Sequence, residues 1–170
     1  MRSLVILLVA CLHATPLASQ TPRASPRLRS VTDVVAYIGT YPCRTRLLRA
    51  PVLRQGIMSV LGADSSAYAE HIERSGCGKI ERDRDLVVMD VSQLHVGGYS
   101  SLIIVRPSDG AIWVYWLDAP VAINAPSHIY GSRPVPVDVL NGIEQRMNEA
   151  WGHVAHFRAE ADSVVIEHKP

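Results

Sequence analysis

The stretch SQLHVGGYSSLIIV, residues 92–105, sets one histidine and two consecutive glycines beside strongly apolar runs. His95 is followed by Val96, Gly97, Gly98 and Tyr99. Glycine permits positive φ and close backbone approach, so the segment reads as a loop able to display a side chain. His95 is thus a candidate to act on another molecule, with Gly97, Gly98 and Tyr99 shaping its presentation. The plainer alternative is that it closes a wide hairpin by bonding a nearby carbonyl. Nucleophilic catalysis has no signature, because GxSxG does not occur and the cysteines have another use. His153 and His156, in HVAH, are spaced to share one side of a helical turn. A zinc site needs a third protein ligand, and neither HExxH nor paired CxxC occurs. The acids of ERDRD, residues 81–85, alternate with bases beside an apolar run, the pattern of a solvated turn. No metal and no cofactor is expected. A binding protein is expected rather than an enzyme, with an enzyme built on His95, His153 and His156 as the remaining alternative.

The cysteines point to a compartment. Residues 1–20, MRSLVILLVACLHATPLASQ, carry Arg2, an apolar run from Leu4 to Leu12, then small and polar residues. This is the build of an export signal, since a membrane-spanning helix needs about 20 apolar residues. Cleavage after this segment gives a periplasmic or secreted protein. Alternatively LVAC, ending at Cys11, is similar to the lipobox of bacterial lipoproteins, and Cys11 then carries lipid and anchors the chain in the envelope. Cys43 and Cys77 are left as an even pair, and in an oxidising compartment a disulfide between them is the expectation. Lys and Arg total 17 against 16 for Asp and Glu, so no basic excess exists to neutralise a nucleic acid. A membrane is a partner only through lipid on Cys11.

The elements that must position these residues follow from periodicity and punctuation. Residues 21–30 read as a flexible tether, with order beginning near Val31. TDVVAYIG predicts a short helix capped by Thr32 and broken at Pro42. APVLRQGIMSVLG, residues 50–62, predicts a helix with Pro51 in its first turn and Gly62 at its C-terminal cap. A second helix follows, capped by Asp64, with Ala67, Tyr68, His71 and Ile72 on one face. LVVMDV, SLIIV and AIWVYWL then read as strands, the last two joined as a hairpin by RPSDGA. In the third strand Trp113 and Tyr115 share a face and Trp116 takes the other, for core packing or, at Trp116, a recognition patch. DAPVAINAPSHIYGSRPVPVD holds four prolines and is expected to be irregular. VDVLNGIEQRMNEAW predicts a third helix, and the tail one or two strands, SVVIE foremost.

Two helices over LLRAPVLRQGIMSVLGADSSAYAEHI, then LVVMDV, SQLHVGG, SLIIV, a DG turn and AIWVYWL, together resemble the inhibitor of vertebrate lysozyme family and its wider relatives. The resemblance covers approximately residues 46–117. It implies a periplasmic protein with a central antiparallel sheet, helices packed on one side, and a protruding loop whose histidine enters the cleft of a lysozyme. His95 is the residue that matches the family's inhibitory histidine. The family pins its loop with two cysteines, and those positions are Ser92 and Gly97 here. The expectation is an α+β fold: residues 31–170 form a single domain with an antiparallel sheet of about four or five strands and two or three helices on one side. The expected function is an exported envelope binding protein whose partner is a lysozyme-like muramidase, or a different protein met by the same fold. Homodimer formation stays open.

Overall fold

The computed structural model describes residues 26–92, 99–118 and 127–168. The expected export signal, Cys11 and half of the expected tether, residues 21–25, lie outside the described residues. The chain is α+β, built on a six-stranded antiparallel sheet. Its strands are β1 (Gly76–Cys77), β2 (Glu81–Asp83), β3 (Leu86–Ser92), β4 (Tyr99–Arg106), β5 (Ala111–Asp118) and β6 (Ser127–Gly131). The order is β1-β3-β4-β5-β6, with β2 also paired to β3. A second sheet holds β7 (Ala155–Ala159) and β8 (Val164–His168). The helices are α1 (Pro42–Thr45), α2 (Pro51–Leu61), α3 (Ser65–Arg74) and α4 (Val137–Trp151).

Strand alternation decides which layers can form. Val87, Met89, Val91, Ile103, Val105, Val114 and Trp116 share one core with Leu53, Ile57 and Leu61 of α2 and Tyr68 and Ile72 of α3. Leu86, Val88, Leu102, Ile104, Trp113, Tyr115 and Leu117 share the other with Val139, Ile143 and Met147 of α4 and with Phe157 and Ile166 of the β7–β8 hairpin. The expected helix positions are found, but α4 covers the opposite face from α2 and α3. The central strands are apolar on both sides, so a layer on one side alone would leave a second apolar face in water.

Local details depart from expectation for identifiable reasons. The segment Val31–Tyr37 is a 3-10 helix capped by Ser30 rather than Thr32, because Ser30 and Asp33 form a capping box. The ordered chain also reaches back before Val31, since Leu28 is buried in the first core. Asp64 stands at the N-cap of α3 without a side-chain capping bond. Its carboxylate instead accepts from the Tyr130 hydroxyl at 3.0 Å, and burial with the neighbouring Asp64 charge pushes the Tyr130 pKa up to about 12. The proline-rich stretch contains β6, because SHIYG is a five-residue window free of proline between Pro126 and Pro134. The outer edge of β6 is occupied: Ile129 N–H donates to the Asp162 carbonyl at 2.8 Å. The Arg133 guanidinium donates to the Ile129 carbonyl at 2.7 Å and to that of Ala161. Gly131, at φ +135, is the position where a Cβ would sit 2.6 Å from the Ile112 carbonyl oxygen and from Trp113.

Candidate functional site

The candidate loop joins two paired strands at one end of the sheet. Strands β3 and β4 stay paired up to Ser92 opposite Ser100, and Tyr99 opens β4 opposite Asp118 of β5. His95, Gly97 and Gly98 lie outside the described residues, in the segment 93–98 that joins these two strands. What the structure shows is the base from which that segment departs.

On the α4 side the base is held by hydroxyls. Ser92 Oγ donates to Asp90 Oδ1 at 2.6 Å and lies 2.9 Å from Ser100 Oγ across the strand pair. Gly78 lies over Asp90: its N–H donates to the Asp90 carbonyl at 3.1 Å, and a Cβ there would sit 3.3 Å from Asp90 Cβ. On the α3 side the base is held by a buried cluster. Ser101 Oγ donates to the Val91 carbonyl at 3.0 Å and accepts from the Tyr68 hydroxyl at 2.9 Å. His71 Nε2 is 3.2 Å from the same carbonyl and from Ser101 Oγ. A carbonyl only accepts, so Nε2 carries the proton and Nδ1 is a lone pair. That Nδ1 and the Trp116 Nε1–H are buried with no partner among the described residues. The rings themselves pack together, with Tyr68 edge-on to Trp116 at 5.2 Å and His71 5.9 Å from Trp116.

Burial governs the electrostatics of this cluster. His71 is 3% exposed, and burial pulls its pKa below the ordinary value, opposed by the Val91 hydrogen bond and the Asp118 charge. Burial also raises the Tyr68 phenol well above its usual range. Both rings are therefore neutral near neutral pH and act as hydrogen-bonding braces.

A cleft of about 480 Å³ opens beside the base, between the last turns of α4 and the ends of β3 and β4. Glu81, Asp90, Ser92, Ser100, Arg146 and Trp151 line it.

The remaining expected residues fall in separate places. Cys43 and Cys77 form a disulfide, with Cα atoms 5.8 Å apart, that ties α1 to β1. His153 lies in the turn after α4 and His156 on β7, both exposed, so they do not share a helical turn. Among the described residues no group of three His, Cys, Asp or Glu side chains is placed to hold a metal ion, and no helix is long and apolar enough to cross a membrane. ERDRD forms β2 and the tight turn into β3, with Arg84 at φ 55. Sequence reasoning placed His71 on an apolar helix face without its polar partners, and passed over Asp90, Ser100 and Ser101. The available signal was the Ser100-Ser101 pair at the start of an otherwise apolar strand, which puts one hydroxyl on each face of the sheet.

No protein-family model matches this chain, nor does any curated protein or solved structure.

Proposed function

We propose that the protein is an exported binding protein of the cell envelope that presents the segment 93–98, and His95 within it, to a protein partner. A lysozyme-like muramidase is the partner to test first. The observation that carries this reading is the doubly braced base. Hydroxyl bonds hold β3 to β4 on one face, and the Tyr68–His71–Ser101 cluster holds them on the other. A rigid base lowers the ordering cost of inserting a loop into a cleft, which is where affinity is otherwise lost. Ser92 thus gives position 92 a hydrogen-bonded anchor where the resembling family has a disulfide. The Cys43–Cys77 bond supports export, because such bonds persist in oxidising compartments.

The test is turnover of cell-wall substrate by a panel of lysozymes of different types, with the mature chain and with His95→Ala. Inhibition at micromolar protein, weakened about ten-fold by His95→Ala as a lost charge-assisted hydrogen bond implies, is the expected result. No inhibition of any lysozyme sinks the muramidase reading. A second reading keeps the fold and the braced loop with a different protein partner, and Ser92 and Gly97 in place of the two cysteines favour it. Recovery of a non-muramidase partner from a periplasmic extract decides for it.

A further inference from the structure

The cleft beside the loop base has a volume in the range of small-ligand sites, about 480 Å³. We propose that it binds a protonated primary amine, with the lysine side chain of a peptide as its occupant. The inner wall shows why the ligand must bring the hydrogens. A hydroxyl has one proton, and that of Ser92 is committed to Asp90 Oδ1 at 2.6 Å. In the 2.9 Å contact between Ser92 and Ser100 the donor is therefore Ser100. Both protons run toward the carboxylate, and the wall offers only lone pairs. Ser100 is 6% exposed, so its oxygen belongs to the interior of the cleft and not to the solvated surface.

Charge narrows the ligand further. Among the described residues, Glu81, Asp90 and Glu149 line the cleft with one guanidinium, Arg146, a surplus of two negative charges. Arg146 Nη1 is engaged by Glu81 at 2.6 Å. Among the described residues Asp90 takes a side-chain bond from Ser92 and Glu149 one from Gln145, and neither is paired with a cation. An anion is repelled here, whereas an ammonium makes charge-assisted bonds to otherwise uncompensated carboxylates. Leu102, Met147 and Trp151 supply apolar wall for the methylenes, and an indole tolerates a cation at its face. Arg146 lines the cleft, and of its five N–H donors the bond from Nη1 to Glu81 uses one. The others can donate to a carbonyl, which a peptide carries and a simple alkylamine lacks.

The experiment is a backbone and indole NMR titration of the mature protein with a capped Ala-Lys-Ala tripeptide, with n-butylamine and with n-butanol as neutral isostere. Saturable shifts at Asp90, Ser92, Ser100 and Trp151 with the tripeptide, weaker with butylamine and missing with butanol, are expected. Asp90→Asn should weaken the tripeptide about ten-fold, and Glu149→Gln, at an exposed carboxylate, about two- to five-fold. Glu149 is exposed on α4, so its variant keeps the test open if the Asp90 variant is misfolded. Butylamine binding as tightly as the tripeptide keeps the amine site and makes a free amine its occupant. Butanol matching the amines, or no saturable shift at tens of millimolar, overturns the proposal. The test uses no muramidase, so the amine site and the loop's role can fail independently.

Discussion

His71 is a residue whose charge state the fold dictates. Its folded pKa lies below the ordinary 6.5, chiefly through burial, so the unfolded chain binds the proton more readily in the window between the two values. The resulting stabilisation is whole above pH 6.5 and is lost as pH falls from there through the folded value. A protonated Nδ1 would also be a buried donor without an acceptor, which costs about 1–3 kcal/mol. Urea midpoints at pH 8 and pH 5.5 should therefore differ more in the native chain than in His71→Leu. That variant should lose about 1–2 kcal/mol at pH 8 through its hydrogen bonds. Equal slopes in the two proteins would show that His71 does not carry the effect. The helical pattern made its burial legible beside Tyr68 and Ile72. Its chemistry was not legible, because Val91 and Ser101 lie 20 and 30 residues away and no local pattern encodes that pairing.

Among the elements, α1 and β1 depend most on covalent chemistry. Each is short, four and two residues, and the Cys43–Cys77 bond closes a span of 34 residues between them. Constraining a loop of that size contributes about 3–4 kcal/mol in the chain-entropy model. The nearby Arg49–Glu73 pair is about half exposed on both sides, and such pairs contribute at most about 1 kcal/mol. The disulfide therefore dominates this corner. Urea unfolding with and without reductant should differ by about 3 kcal/mol, and a difference below about 1 kcal/mol would assign the corner to packing instead. Elements whose boundaries are set by local punctuation were readable: Pro51 and Gly62 bracket α2, and the RPSDGA turn joins β4 to β5. Elements set by remote partners were not. Strand β6 exists because β5 offers it a ladder, and Asp64 leaves its capping role for a tyrosine 66 residues away.

At the scale of the whole molecule, one sheet serves two cores. Strands β3, β4 and β5 contribute alternate side chains to each, so neither face can lose its cover without exposing the back of the other's framework. Ile57 and Ile143 are fully buried on opposite faces. Truncating either to alanine should cost about 2–5 kcal/mol, and both variants should still unfold in one transition, with far-ultraviolet dichroism and tryptophan fluorescence coincident. Two separated transitions in Ile143→Ala would mean that α4 and the β7–β8 hairpin melt as a unit of their own. The positions of the covering helices fit the periodicity of their sequences. Their distribution over two faces follows from strands apolar on both sides, a property already present in Trp113, Tyr115 and Trp116. The occupied margin of β6 bears on the company the protein keeps at high concentration. An open strand margin is a template for self-templated stacking and amyloid growth. Here the Asp162 carbonyl and the Arg133 guanidinium take the outward-facing groups of Ile129. A second copy cannot extend the sheet at that point.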